Sequence, residues 1–356
     1  MLKDGARRFF EQKQQLVALR AQLKGTEDPH RGQERAAWHD AAAWREMVEL
    51  GWPMLAVPEA AGGIGMGLVA AAALQEEIGR AACPTPLTAT LQSTFVLRQA
   101  NATTWLAKIA EGRSMALAIY GEDGSLESAT SDVTAVGTRL TGTSWYVQDA
   151  QKVDGFIVAA RSGEGLGLYH VANDQVAIRR DRIVDLTRDQ ARIELNGAEA
   201  ALVAAPADGA AVLTRALPAL LTLLAADMAG AAEWQLQTTN EYAKVRVQFD
   251  RPIGFFQAVK HPIVNMMIAA DETRSLVYNA ACAYDFEPDD ALRCARLAKS
   301  NASDTAEFCS NRSTQLHGGI GFTWEADVQI YHKRQMHSQF LFGDGAWQRR
   351  KLGEML

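Results

Sequence analysis

One glycine-rich segment of the sequence has the composition of an anion-binding loop. Residues 315–323 read QLHGGIGFT, with three glycines within four positions. Because glycine has no Cβ, backbone N–H groups in such a loop can approach a phosphate or another anion closely. An ordinary turn between two helices has the same composition. This segment alone therefore leaves both interpretations open.

A second segment favours the anion-binding interpretation. Residues 246–261 read RVQFDRPIGFFQAVKH and closely resemble the arginine–phenylalanine–glutamine segment of the acyl-CoA dehydrogenase family. The glycine-rich loop resembles the same family's second dinucleotide-contacting segment. Residues 50–63 and 76–80 also fit that family. Together the similar segments extend over nearly the whole chain and occur in the family's order.

The resemblance implies an FAD cofactor and six cofactor-binding residues in these two segments: Arg246, Phe249, Gln257, Gln315, Gly318 and Gly319. Arg246 would bind the pyrophosphate, because a guanidinium suits the geometry of phosphate oxygens. Gln315 and Gly319 would contact the adenosine half. In this family that surface crosses a subunit boundary, so a monomer is expected to bind FAD poorly. The alternative for Arg246 is a solvated surface charge.

The resemblance also places two residues of the middle region beside the flavin. The family presents a tryptophan–isoleucine–threonine strand to the ring, and ungapped counting puts Tyr146 and Gln148 there. Gln148 would donate a hydrogen bond toward flavin N5, whereas Tyr146 could be an ordinary sheet residue. Two positions depart from the family pattern. Residues 120–123 read YGED instead of ending in threonine–glutamate–proline, and Asp250 replaces the usual glycine after Phe249.

The reaction that the resemblance implies is α,β-dehydrogenation of an acyl-CoA thioester, which needs a base of tuned pKa for the α proton. The family commonly takes this glutamate from a tyrosine–glutamate–glycine turn near the C-terminus, where counting from Arg350 finds Gly343. Asp344 is the nearest carboxylate and our candidate catalytic residue, with a helix N-cap as the alternative role.

The family's second location for the base also lacks an acid in this sequence. It falls near Leu220 in an apolar helix, and Asp227 lies two turns further on, where a buried structural role is the alternative to catalysis. His317, His332 and His337 are the other titratable candidates near the loop. The histidines show no metal-ligand spacing, so no metal site is expected.

Three composition regimes predict the elements that position these residues. Helical periodicity in residues 1–114, short β-prone runs in 115–205 and helical periodicity again in 206–356 predict three domains. The expected fold is α+β multidomain: an N-terminal helical domain, a middle antiparallel β domain and a C-terminal four-helix bundle, as in acyl-CoA dehydrogenases. A loop at residues 249–257 separates two of the bundle helices.

Composition limits the partners. The net charge of −6 lacks the positive excess that is typical of nucleic-acid-binding proteins. The most apolar stretch, residues 216–232, is broken by Pro218 and Asp227, so no membrane span is expected. We expect a cytoplasmic flavoprotein of lipid or steroid catabolism. It would act on an acyl-CoA substrate with electron-transfer flavoprotein or a similar acceptor.

Three functions are compatible with the missing base. The first is an active dehydrogenase forming a homodimer or homotetramer. The second is a non-catalytic partner in a heterotetramer with a second dehydrogenase subunit, as in bacterial steroid side-chain catabolism. The third is a fold relative with different flavin chemistry.

Overall fold

Helices form the N-terminal part of the chain in the computed structural model, which describes residues 1–23, 39–124 and 131–355. They are α1 (Leu2–Lys13), α2 (Gln15–Leu23), α3 (Ala41–Glu49), α4 (Leu68–Arg80), α5 (Leu87–Gln99) and α6 (Thr103–Ala110). α4 and α5 are buried over most of their surface, which agrees with their apolar sequences.

Eight strands form one sheet between the two helical parts. They are β1 (Met115–Ala118), β2 (Val133–Val136), β3 (Arg139–Gln148), β4 (Gly155–Ser162), β5 (Gly165–Ala172), β6 (Ala177–Arg180), β7 (Gln190–Glu199) and β8 (Ala201–Ala204). Their order is β6-β7-β3-β2-β4-β5-β8, with β1 beside β4. The sheet is mixed rather than purely antiparallel, because β1 and β2 pair with β4 in parallel. Alternate residues such as Leu140, Phe156 and Ile193 form its own apolar core.

The C-terminal part is a bundle of long helices. It consists of α7 (Gly209–Val245), α8 (Gln257–Phe286), α9 (Ala291–His317), α10 (Val328–Phe340) and α11 (Gly345–Gly353). A short hairpin of β9 (Val247–Gln248) and β10 (Arg251–Pro252) joins α7 to α8. By length and composition alone α7 could cross a membrane, but it is mostly buried as the core helix of the bundle.

Two glycines let α4 pack directly on α7. A Cβ on Gly79 would lie 2.0 Å from the Asp227 carbonyl oxygen, and one on Gly230 would lie 1.8 Å from the Glu76 carbonyl oxygen. Both distances are far below van der Waals contact, so a larger residue would push the helices apart. This contact holds the N-terminal helices against the bundle.

A buried charge cluster joins the sheet region to the bundle. Asp227 on α7 accepts hydrogen bonds from Arg188 and Arg334, each with a 2.6 Å contact, and from Gln75 at 3.0 Å. Burial alone would raise the pKa of Asp227, but the two guanidinium groups and their hydrogen bonds hold it below its ordinary value. Asp227 is therefore an ionised structural residue whose oxygens both have partners.

Candidate functional site

The two segments predicted to bind the cofactor lie at the same end of the bundle. The Tyr242 ring near the end of α7 stacks on the His317 ring at the end of α9, with centroids 4.5 Å apart. One turn earlier, the Thr239 hydroxyl donates to Ser313 Oγ at 2.8 Å. These contacts bring the loop after α7 beside the loop after α9.

The loop after α7 presents its predicted cofactor residues to solvent. Phe249 and Asp250 form the hairpin turn with φ of 53° and 59°, and the Phe249 side chain is 85% exposed. The left-handed conformation at Asp250 is one that glycine adopts freely and aspartate tolerates, so aspartate can occupy the position of the family's glycine. Arg246 and Gln257 are exposed, and the Arg246 guanidinium has no hydrogen bond or ion pair with any described residue.

The glycine-rich loop faces open space. Gly318 ends α9 with φ +61°, and no atom lies within 4 Å of a Cβ built on Gly318 or Gly319. Gly319 does not have a positive φ, so nothing among the described residues requires glycine there. An external group approaching the backbone would require it. Gln315 is exposed on the last turn of α9. The open loop and the free Arg246 guanidinium suit a phosphate-containing ligand.

A separate cavity of about 510 Å³ lies between the sheet and the C-terminal end of α10. It is lined mainly by apolar and aromatic side chains: Tyr120, Gly124, Tyr146, Ile183, Val184, Gln190, Met336, His337, Phe340, Leu341, Phe342 and Gly343. None of these described lining residues is aspartate or glutamate. The size and apolar walls are those of a small-molecule pocket.

A β-bulge sets the position of Tyr146 at this cavity. The β3–β7 register shifts between Ser144 and Val147, so two residues of β3 face one of β7. Tyr146 has φ 55°, and its hydroxyl donates to the Glu122 carbonyl oxygen at 2.8 Å. The bulge thus turns an aromatic ring from the sheet toward the cavity.

Both amide hydrogens of Gln148 form hydrogen bonds within the chain. Its Nε2 donates to the Tyr146 carbonyl oxygen at 3.1 Å and to Gln190 Oε1 at 2.8 Å. Its Oε1 lies 3.1 Å from His337 Nε2. Burial lowers the pKa of His337 to about 4, so the neutral ring donates from Nε2 to this oxygen. The arrangement leaves no amide hydrogen of Gln148 free for flavin N5.

Asp344 caps a helix in this structure. Its Oδ1 accepts the Trp347 N–H at 2.7 Å as the N-cap of α11, and it is not among the residues that line the cavity. The preceding residues, Phe342 and Gly343, do line the cavity. The Phe342 ring packs edge-on against Tyr120, with centroids 5.7 Å apart. Leu220, at the other family position for the base, is buried and apolar.

The remaining histidine candidates are engaged in packing. His317 Nδ1 lies 2.8 Å from the Ser313 carbonyl oxygen, and His332 Nδ1 lies 3.2 Å from Thr314 Oγ1. Only His337 of the three histidines lines the cavity. The glycine-rich loop precedes α10 and the cavity lies at its other end. The 13 residues of this helix separate the two regions by about 20 Å.

Family models match both helical parts of the chain. The model for the acyl-CoA dehydrogenase N-terminal domain matches residues 1–113, and that for the C-terminal domain matches residues 207–356. The chain belongs to the acyl-CoA dehydrogenase family. FAD is the cofactor of this family, and the open loop and free guanidinium described above fit its phosphates.

Individual acyl-CoA dehydrogenases are similar over most of the chain. Acyl-CoA dehydrogenase IpdE2 of Mycobacterium tuberculosis is 34% identical over 83% of this chain and 80% of its own length. The solved structure of the ChsE4-ChsE5 complex from the same organism is 26% identical, with a TM-score of 0.85 over 99% of this chain and 95% of that chain. The Tcur3481-Tcur3483 steroid ACAD G363A variant is 28% identical, also with a TM-score of 0.85, over 99% and 96%.

Proposed function

We propose that this chain is one subunit of a heteromeric FAD-dependent acyl-CoA dehydrogenase, in which a second kind of subunit supplies the base. The observation that carries the proposal is the cavity beside α10, whose described lining contains no carboxylate. The chain is similar to chains of the ChsE4-ChsE5 complex and of the Tcur3481-Tcur3483 variant, and each of these structures is named for two proteins. This similarity supports the heteromeric assembly.

The turn before α11 contributes a phenyl ring where the family uses a carboxylate. Phe342 and Gly343 both have a positive φ, of 58° and 85°, and a Cβ on Gly343 would lie 2.5 Å from the Trp347 ring. Gly343 therefore fits the glycine of the tyrosine–glutamate–glycine turn. Matched in this way, Phe342 takes the place of the glutamate, one residue before the position found by counting from Arg350. Neither residue can accept a proton.

The reaction of the assembly is removal of the α proton and β hydride of an acyl thioester. Bound FAD supplies the hydride acceptor. In this chain Arg246 would bind the pyrophosphate, and Gln315 and Gly319 would contact the adenosine half, with Phe249 and Gln257 beside them. Because these residues lie about 20 Å along α10 from the cavity, they would complete a flavin site across a subunit boundary.

The cavity and the relatives together indicate the substrate class. The apolar and aromatic walls suit an acyl group with little polarity. One structural relative is described as a steroid ACAD, so we propose a ring-bearing acyl-CoA in lipid or steroid catabolism. Electron-transfer flavoprotein or a similar carrier would accept the electrons. We place the enzyme in the cytoplasm.

The base assignment can be tested on the chain by itself. The purified chain is given excess FAD until its visible absorbance shows bound flavin, because a site shared between subunits is expected to bind FAD weakly in the chain alone. It is then given a straight-chain or steroid-ring acyl-CoA with ferrocenium as the acceptor. We expect no turnover and no exchange of the substrate's α proton with D2O. Sustained turnover would overturn the proposal and favour a self-sufficient homo-oligomer.

A matched pair of variants asks whether the missing carboxylate is the reason. Phe342→Glu places a carboxylate in apolar surroundings, where burial moves its pKa toward neutrality. We expect Phe342→Glu to gain α-proton exchange and the nearly isosteric, uncharged Phe342→Gln to remain inactive. Equal exchange by both variants would show that the turn does not face the acyl group.

A further inference from the structure

A fully buried lysine lies beneath the turn that carries Phe342. Lys299 on α9 is 0% exposed, and its Nζ makes three hydrogen bonds of 2.8 Å. The acceptors are Ser303 Oγ and the carbonyl oxygens of Gln339 and Gly343. No carboxylate of the described chain lies within ion-pair distance of this ammonium group.

Two of these bonds tie the end of α10 to α9. The last carbonyls of a helix lack partners within the helix, and the C-terminal end of the helix dipole favours a cation. Lys299 satisfies the Gln339 carbonyl there and reaches the Gly343 carbonyl in the next turn. The residues between them include Phe342, whose ring forms part of the cavity wall.

The turn is also packed tightly on its other side. A Cβ on Gly343 would lie 2.5 Å from the Trp347 ring, and one on Gly345 would lie 2.4 Å from Asp304 Oδ1. The backbone between α10 and α11 is therefore held between the Trp347 indole and α9. The carbonyl groups that fix its distance from α9 are those bound by Lys299.

We propose that Lys299 is a positioning residue for the cavity wall, and that its hydrogen bonds to the Gln339 and Gly343 carbonyl oxygens set the turn that presents Phe342 to the acyl group. The inference rests on the proposed function only in taking this cavity as the acyl site. The lysine does not touch the cavity and acts through the backbone of Gly343.

The surroundings of Lys299 make its hydrogen bonds to the turn sensitive to pH. Burial lowers the pKa of Lys299 to about 7, against the raising effect of the Asp344 and Asp304 carboxylates. Asp304 is itself paired with Arg349 at 2.6 Å, and the pKa of His337 on α10 is lowered to about 4, so that histidine stays neutral near pH 7. A neutral amine has two N–H donors, one fewer than the ammonium. Deprotonation therefore removes a donor from one of three acceptors.

Fluorine NMR can follow the turn directly. 4-Fluorophenylalanine is placed at position 342 of the full chain, and the 19F shift is recorded from about pH 6 to about pH 9. We expect one transition with a midpoint near 7. The transition should vanish in Lys299→Met. It should persist in the control Lys351→Met, which removes a lysine that lies over the Trp347 ring.

The outcomes separate this inference from the proposed function. A shift that does not titrate, or that titrates equally in Lys299→Met, would overturn the positioning role. If Lys299→Met does not fold, Lys299→Gln and the titration of the otherwise unaltered labelled chain still decide it. Turnover by the chain alone would refute the proposed function and leave the fluorine titration unaffected.

Discussion

Replacing Asp227 by asparagine removes one carboxylate from the buried cluster that joins α7 to α10. The side chain keeps its size, but Arg188 and Arg334 lose the charge that both contact at 2.6 Å. All three side chains are almost fully buried, so water cannot replace the lost interaction. We therefore expect a large loss of stability rather than a local change.

The magnitude follows from the cost of an uncompensated buried charge. Removing one partner of a buried ion pair costs about 3–5 kcal/mol. Asp185 offers partial compensation, because its Oδ2 lies 3.6 Å from Arg188 Nε. We therefore expect Asp227→Asn to lower the free energy of unfolding by about 3 kcal/mol, at the lower end of that range.

Urea unfolding at pH 7, followed by far-UV circular dichroism, measures this change. Asp304→Asn is the matched control, because it breaks an ion pair of the same length with Arg349 whose side chains are both more than half exposed. The control should lose no more than about 1 kcal/mol. If Asp227→Asn lowers the free energy of unfolding by less than about 1 kcal/mol, the buried cluster does not stabilise the fold as we infer.

Three further changes test individual residues. Burial lowers the pKa of His170 to about 4, so acid protonates the unfolded chain before the folded one. Because the ring is partly exposed, wild type should lose about 1 kcal/mol of stability between about pH 7.5 and about pH 5 in thermal melts, and His170→Phe, which can still stack on Trp105, should not. Asp344→Asn should leave the turnover of the heteromeric enzyme unchanged, because asparagine also caps helices, whereas Asp344→Ala should lose about 1 kcal/mol of stability in urea unfolding. Arg246→Ala should weaken FAD binding about ten- to hundredfold in a flavin fluorescence titration, since hydrogen bonds to charged groups contribute about 1.5–3 kcal/mol, and unchanged affinity would return Arg246 to a surface role.

The order of helices and strands could be predicted from the sequence because it depends on local periodicity. The β-prone runs, for example, alternate apolar and polar residues, and their inward members form the sheet's core. The glycine-rich loop was also visible, because unusual composition at a few adjacent positions needs no knowledge of the fold. The parallel pairing of β1 and β2 with β4 was not predictable, since it depends on connections between distant segments.

The cavity could not be assembled from the sequence for the same reason. Tyr120, Tyr146, His337 and Phe342 come from separate segments, and a β-bulge turns Tyr146 toward the others. Counting along the chain identified the turn before α11, where Phe342 and Gly343 both have a positive φ. The position of the Trp347 ring, which leaves no room for a Cβ on Gly343, distinguishes the roles of the two residues. Lys299 gave no signal, because a lysine in a helix is ordinarily a solvated charge and its burial depends on the tertiary contacts.

In the proposed assembly the catalytic base belongs to another subunit. The chain is co-purified with its partner dehydrogenase subunit, and turnover with acyl-CoA is measured after the glutamate at the family's base position in the partner subunit is changed to glutamine. Because general-base catalysis contributes about 10²–10⁴-fold, we predict that turnover falls by at least about a hundredfold. A complex that keeps its full turnover after this change would contradict the account.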